Sequence, residues 1–151
     1  MTQLAEWIVF LPLAAALLVG FSWSRMTGRT AQVLTSGAVV ISAVCAWILF
    51  IRLSGGAETF TVDLASWMQS AGFEARWALR VDMLSASMML LVTSVSSLVH
   101  IYSIGYMDED PCKPRFMAYL SLFTFFMLML VTSDNLIQLF LGWEGVGLCS
   151  Y

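Results

Sequence analysis

Glu144 is the residue of this sequence whose type and position most clearly indicate chemistry. It is the only formally charged residue deep within an apolar stretch, which covers residues 135–151. Near the middle of a bilayer, a carboxylate is costly unless it is protonated, paired with a cation or hydrated. A carboxyl group that is held between apolar surroundings and a nearby cation can exchange a proton near neutral pH. The sequence therefore predicts a proton-translocating role for Glu144.

Three glycines flank Glu144, at positions 142, 145 and 147. Each glycine costs a helix up to about 1 kcal/mol relative to alanine. Their density indicates close approach by another helix, or a locally loosened backbone beside water. At helical spacing, Gly147 and Tyr151 share the face of Glu144, so a partner could come close there. The alternative interpretation is a protonated Glu144 that makes only a structural hydrogen bond between helices.

His100 is the second candidate for chemistry, because it lies inside the apolar stretch 83–107. An imidazole takes up and releases protons near neutral pH, so His100 is a candidate proton relay. It could equally donate one hydrogen bond to a neighbouring helix and have no other role. Asp82 and Asp134 precede apolar stretches, and we expect both to cap helices rather than to do chemistry.

No metal or redox cluster is expected, because one histidine and widely spaced cysteines do not form a ligand set. The cysteines stand at three positions without a C-x-x-C pair: Cys45, Cys112 and Cys149.

The composition also argues against a soluble protein. Of 151 residues, 60% are hydrophobic and 11% are charged, whereas soluble domains are about 25% charged. The net charge of −3 and the lack of a basic block predict no nucleic-acid partner.

Five apolar stretches approach or meet the roughly 20 residues that a helix needs to cross a bilayer. They cover residues 7–24, 30–51, 83–107, 116–133 and 135–151. We therefore predict an all-α integral membrane protein of about five transmembrane helices, with residues 1–151 in a single polytopic domain. The first stretch has no basic residue before it, so we interpret it as a retained helix rather than a signal peptide. Lysines and arginines near helix ends are enriched on the cytoplasmic or matrix side of a membrane. Those in the first and third connections between helices therefore favour that side for both connections.

Residues 55–82 depart from this pattern. From Phe73 to Asp82, apolar and polar residues alternate with a period of two, and Phe60, Val62 and Leu64 alternate similarly. This period is typical of strands. We therefore predict a β-hairpin at the membrane surface between helices two and three, with a turn at 70–72. An irregular, partly amphipathic connection is the alternative.

Residues 133–151, SDNLIQLFLGWEGVGLCSY, resemble the fifth-helix signature of the large antiporter-like subunit of respiratory complex I. This subunit is called subunit L in bacteria and NADH dehydrogenase subunit 5 in mitochondria. Three further segments agree in order: RVDMLSASM at 80–88, HIYSIGYM at 100–107 and FMAYLSLFTFFMLMLVTSDN at 116–135. The resemblance covers essentially the whole chain. It implies that these residues are the N-terminal portion of a subunit several times longer, and that they stop within its fifth helix.

The resemblance also implies a function. The family's fifth-helix glutamate, which corresponds to Glu144, pairs with a lysine on a later helix and takes part in proton translocation. The subunit helps to couple NADH-to-quinone electron transfer to proton pumping. The resemblance implies no cofactor in this chain, because flavin, iron–sulfur clusters and quinone belong to partner subunits. The only lysine here, Lys113, lies in a connection, so the partner lysine is expected outside these residues.

The expected partners are other membrane-arm subunits, especially the neighbouring antiporter-like subunit M, together with the lipid bilayer and protons. The expected location is the bacterial cell inner membrane or the mitochondrial inner membrane. Two alternatives remain open. One is a monovalent cation/proton antiporter of the Mrp type, which resembles this chain in architecture and has no redox partner. The other is a structural membrane scaffold in which Glu144 is inert.

Overall fold

The structure is a computed structural model that describes residues 1–22, 26–70 and 73–151, with only the backbone described for 67–70, 73 and 74. The described chain contains five helices and a two-stranded sheet. In order they are α1 (Thr2–Phe21), α2 (Gly28–Ser54), β1 (Phe60–Ser70), β2 (Phe73–Val81), α3 (Met83–Tyr106), α4 (Lys113–Val131) and α5 (Leu136–Ser150).

Four of these helices, α1 to α4, are long and apolar enough to cross a membrane. Helix α5 is also apolar but has 15 residues. Large apolar side chains on the outer surface support this assignment. On α3, Leu84, Leu91 and Leu98 recur every seven residues and are all more than half exposed, as expected for a lipid-facing stripe. The predicted class is confirmed, and the chain is a multi-pass membrane protein.

Helices α1 to α4 form a bundle in which α1 packs against α2 and α4, and α3 packs against the same two helices. Helix α5 packs against α4. The larger apolar core lies at the end of the bundle beside the hairpin. It joins helix residues such as Ile8, Leu49 and Met89 to Leu79 and Val81 of β2.

The predicted β-hairpin between α2 and α3 is confirmed, and the irregular alternative is wrong. Strands β1 and β2 pair antiparallel from Phe60↔Val81 to Ser70↔Phe73, with two register shifts. The predicted turn includes residues 71 and 72, which lie outside the described residues. Val62, Leu79 and Val81 are buried, so the apolar positions of the period-two pattern attach the hairpin to the bundle.

The connections α1–α2 and α3–α4 lie at the same end of the bundle. A Cβ atom added at Gly28 would lie 3.0 Å from the Cδ of Lys113. The hairpin and the α4–α5 connection meet at the opposite end, where Leu79 forms an isolated bridge with Ser133. The predicted grouping of the two basic connections therefore agrees with the structure, and the compartment that each end faces remains a prediction.

Candidate functional site

The start of α5 is fixed by Asn135, not by Asp134 as the sequence suggested. The Oδ1 of Asn135 accepts a hydrogen bond of 2.9 Å from the backbone N–H of Gln138. Asp134 is exposed and lies one residue too early, because a capping side chain must immediately precede the first helical residue.

The expectation that Asp82 caps a helix is confirmed. Its Oδ1 accepts a hydrogen bond of 2.7 Å from the N–H of Ser85 at the start of α3.

Two of the three glycines around Glu144 allow α5 to approach α4 closely. A Cβ atom at Gly142 would lie 2.9 Å from the backbone N and Cα of Leu130, and one at Gly145 would overlap the ring of Phe126. Both glycines are buried. The close helix approach that the glycines predict therefore occurs, and its partner is α4. Gly147 differs, because a Cβ there would meet nothing within 4 Å.

Glu144 lies on the face of α5 that is turned away from α4. It is exposed, as are its neighbour Trp143 and the next apolar residue on this side, Leu148. Gly147, one turn further along the helix, is exposed as well. Among the described residues, Glu144 forms no ion pair. Its carboxylate is therefore accessible along a face with open space, and a cation could reach it without moving α4.

His100 is completely buried between α3 and α4, and both ring nitrogens are hydrogen-bonded. Nδ1 lies 2.8 Å from the backbone oxygen of Ser96, one turn earlier on α3. Nε2 lies 3.0 Å from the Oγ of Ser121 on α4. The Oγ of Ser96 lies 2.6 Å from the Oγ1 of Thr124 and 3.3 Å from Nδ1 of His100. Four side chains thus form a continuous polar chain across the helix interface.

The hydrogen-bond partners constrain where the hydrogens of these four side chains lie. Because Nδ1 faces a carbonyl oxygen, Nδ1 carries a hydrogen, and in the neutral imidazole Nε2 therefore accepts from the hydroxyl of Ser121. The hydroxyl of Thr124 donates to the backbone oxygen of Leu120 at 2.9 Å, so Thr124 accepts from Ser96. Sequence reasoning missed Ser96, Ser121 and Thr124, although the four-residue spacing from Ser96 to His100 was a usable signal.

The two candidate residues do not form one site in the described part of the chain. His100 points into the α3–α4 interface through Ser121 and Thr124. Glu144 lies on α5, which contacts α4 through Phe126 and Leu130. Over the described ranges, no three histidine, cysteine, aspartate or glutamate side chains group closely enough to hold a metal ion.

Strand β2 reaches the connection between α4 and α5 through three hydrogen bonds. The N–H of Arg80 donates to the backbone oxygen of Thr132 at 2.8 Å. The N–H of Ala78 donates to the Oε1 of Gln138 at 3.2 Å. The Nδ2 of Asn135 donates to the backbone oxygen of Arg76 at 2.6 Å. The helix that carries Glu144 is therefore attached to the hairpin as well as to α4.

Similar sequences occur among subunits of NADH-ubiquinone and NADH-quinone oxidoreductases. A family profile described as the N-terminus of NADH-ubiquinone oxidoreductase (complex I) chain 5 matches residues 67–117. The chain is 49% identical over 144 residues to NADH-ubiquinone oxidoreductase chain 5 of Arabidopsis thaliana. The aligned residues cover 95% of this chain and 22% of that protein.

Two bacterial proteins named NADH-quinone oxidoreductase subunit L are similarly close. Identity is 48% over 151 residues with that of Rhodobacter capsulatus, covering 95% of this chain and 21% of the relative. Identity is 44% over 149 residues with that of Rickettsia bellii, covering 99% of this chain and 23% of the relative. The chain thus spans about a fifth of the length of the curated relatives it matches. By sequence, nearly the whole chain is similar to proteins named NADH-ubiquinone oxidoreductase chain 5 and NADH-quinone oxidoreductase subunit L.

Proposed function

We propose that the protein is a proton-translocating membrane-arm subunit of an NADH-quinone oxidoreductase. In this role it couples electron transfer from NADH to quinone, in other subunits, to proton movement across the membrane. The observation that carries the proposal is near-complete coverage of this chain, at 44–49% identity, by proteins named NADH-ubiquinone oxidoreductase chain 5 or NADH-quinone oxidoreductase subunit L. The multi-pass helical fold supports it, because a proton pathway must be enclosed by membrane-spanning elements.

Glu144 is the titrating carboxylate in this proposal. On the open face of α5, a cation that approaches Glu144 favours its charged form, and withdrawal of the cation favours its protonated form. The cation is a lysine from a later helix, as the family resemblance implies. The carboxylate therefore takes up a proton when the cation withdraws and releases it when the cation returns. The contact of Gly142 and Gly145 with α4 supports this role, because it leaves Glu144 on the free face.

His100 is a proton relay in the same proposal. Its links to Ser121 (3.0 Å), to the hydroxyl of Ser96 (3.3 Å) and through Ser96 to Thr124 (2.6 Å) are short enough for proton exchange. Protonation of Nε2 requires the hydroxyl of Ser121 to rotate and become an acceptor, and the imidazolium can then release its other proton from Nδ1 towards Ser96. The scaffold alternative assigns the same four residues a purely structural role.

The redox chemistry belongs to partner subunits that carry the flavin and iron–sulfur clusters and bind quinone. The proposed neighbours are other membrane-arm subunits, including the antiporter-like subunit M, and the remaining surface of α1 to α4 contacts lipid. The proposed location is the bacterial cell inner membrane or the mitochondrial inner membrane.

Purification of the tagged full-length protein from its native membrane tests this assignment. We expect flavin- and iron–sulfur-containing subunits to copurify, and the preparation to pump protons in vesicles when NADH and a quinone are supplied. Sodium-dependent proton exchange without redox subunits would instead identify an antiporter of the Mrp type. Assembly without proton movement of either kind would identify a scaffold.

A further inference from the structure

Strand β2 and the α4–α5 connection are joined by hydrogen bonds between residues that are far apart in the sequence. Asn135 contacts the backbone of Arg76 across 59 positions. Gln138 contacts the backbone of Ala78 across 60 positions. These two ties and the bond from Arg80 to Thr132 attach three points of one strand to both sides of the connection. The contacts of Asn135 and Gln138 act at the N-cap and in the first turn of α5, and the contact of Thr132 acts at the end of α4.

Gln138 is the buried member of this group. Its side chain is fully buried, and its Oε1 accepts the N–H of Ala78, which fixes the orientation of the amide. The Nε2 of the same amide is buried without a hydrogen-bond partner in the described residues. Removal of the amide would leave the buried N–H of Ala78 without an acceptor, which is unfavourable. The orientation of the Gln138 side chain is therefore set by the strand.

Asn135 uses both ends of its amide. Its Oδ1 caps α5 through the N–H of Gln138, and its Nδ2 binds the oxygen of Arg76. These two roles can be separated, because aspartate keeps an oxygen for the cap but lacks the donor for Arg76. A single substitution can thus remove the tie between Asn135 and Arg76 while the N-terminus of α5 remains capped.

Helix α5 is held by α4 along its middle and by the hairpin at its start. Gly142 and Gly145 present only backbone to α4, and the ring of Phe126 on α4 occupies the space beside Gly145. Glu144 lies six residues beyond Gln138 on the same helix, which is about 9 Å along its axis. A displacement of the first turn would therefore move Glu144 with it.

We propose that the hairpin sets the position of Glu144, with Asn135 and Gln138 as positioning residues that tie α5 to strand β2. The inference rests on the proposed function of Glu144. Strand β2 also leads directly into Asp82, the cap of α3. The hairpin therefore holds the starts of α3 and α5 in a defined relationship to each other.

The test uses variants of the full-length protein in the assembled complex. Gln138→Leu removes the acceptor for Ala78, and Gln138→Glu retains an acceptor oxygen. Asn135→Asp combined with Asp134→Asn removes the tie to Arg76 at constant net charge, and Asp134→Asn alone is its control. Cryo-electron microscopy of each complex gives the position of α5 relative to α4. Vesicle assays give the protons pumped per NADH oxidised.

We expect Gln138→Leu and the Asn135→Asp double variant to displace α5 by about 1 Å or more, a scale that impairs positioned groups. Both should lower the number of protons pumped per NADH, and Gln138→Glu and Asp134→Asn should retain the wild-type value. An unmoved α5 would overturn the inference, and so would a displaced α5 with unchanged pumping. The Glu144→Gln variant distinguishes failure of this inference from failure of the proposed function. If Glu144 does not carry protons, Glu144→Gln pumps normally, whatever the position of α5.

Discussion

The Nε2 of His100 lies 3.0 Å from the Oγ of Ser121, and the hydrogen bond between them joins α3 to α4 inside the bundle. Both side chains are fully buried. A buried imidazole that loses this partner is left with an unpaired acceptor, which destabilises the helix contact. Any test of His100 as a relay must therefore separate its ability to carry a proton from its contribution to packing.

Substitution of His100 by Gln makes this separation, because the amide can donate and accept hydrogen bonds but cannot carry a mobile proton. If His100 relays protons, the variant should assemble and pump more slowly by about tenfold or more. The rate is measured as NADH-driven acidification of membrane vesicles, with complex content determined on the same membranes. Wild-type pumping in fully assembled complex would limit His100 to a structural role.

Removal of the Ser121 hydroxyl should lower stability. Ser121→Ala leaves the buried Nε2 of His100 unpaired, at a cost of about 1–3 kcal/mol. The shift in thermal unfolding midpoint of the purified complex measures this loss. Ser97→Ala is the matched control, because the Ser97 hydroxyl bonds only the backbone oxygen of Ser94 on its own helix. Equal stability of the two variants would show that the His100–Ser121 bond contributes little.

Gly142 should tolerate no side chain. A Cβ there would lie 2.9 Å from backbone atoms of Leu130, so Gly142→Ala forces α5 away from α4 and should destabilise the protein by about 1–3 kcal/mol. Gly37→Ala on α2 is the control, since a Cβ at Gly37 meets nothing within 4 Å. The control should be neutral or should stabilise the protein by up to about 1 kcal/mol. The thermal unfolding midpoints of the two variants provide the measurement. An unchanged midpoint for Gly142→Ala would contradict the close contact between α5 and α4.

The Asp82 cap should make the stability of α3 depend on pH. The hydrogen bond from the Ser85 N–H holds the pKa of Asp82 below its ordinary value. A carboxylate whose pKa is lowered by folding stabilises the folded state above its unfolded pKa of about 3.9. This stabilisation is lost as the pH falls through the lower, folded pKa.

Asp82→Ala should therefore cost about 1 kcal/mol near neutral pH, and the difference from the wild type should shrink as the pH falls below about 4. Asp82→Asn keeps a capping oxygen, so its deficit at neutral pH should be smaller. That deficit should also shrink as the pH falls, because the wild type loses the contribution of the carboxylate and asparagine does not titrate. Unfolding midpoints over this pH range provide the measurement. A deficit of Asp82→Ala that stayed constant down to acidic pH would contradict the assigned cap.

Local patterns in the sequence were sufficient for the spans, the hairpin and one helix cap. Apolar length identifies α1 to α4, because lipid exposure requires long apolar helices. The alternation from Phe73 to Asp82 identifies β2, because successive side chains of a strand point to opposite faces. The error at Asp134 was one residue. Asn135 is an equally good cap, and hydrophobic pattern alone does not place a helix start more accurately.

The contacts that define the candidate site were not predictable in the same way. The bond from Asn135 to Arg76 joins positions 59 apart, and no local pattern reports such a pair. Spacing predicted a close approach at the glycines, but it could not tell which helix Gly142 and Gly145 contact. The hydroxyls of Ser121 and Thr124 look unremarkable in the sequence, because serine and threonine in membrane helices usually bond their own backbone.

The proposed proton translocation depends most on Glu144, and one substitution tests this role directly. Glu144→Gln in the full-length protein preserves size and polarity but cannot bind and release a proton, and Glu109→Gln in the exposed α3–α4 connection is the matched control. In assembled complexes, we predict that Glu144→Gln markedly lowers the protons pumped per NADH oxidised, whereas the control retains the wild-type ratio. A wild-type ratio in Glu144→Gln would contradict the account and restrict Glu144 to a structural role.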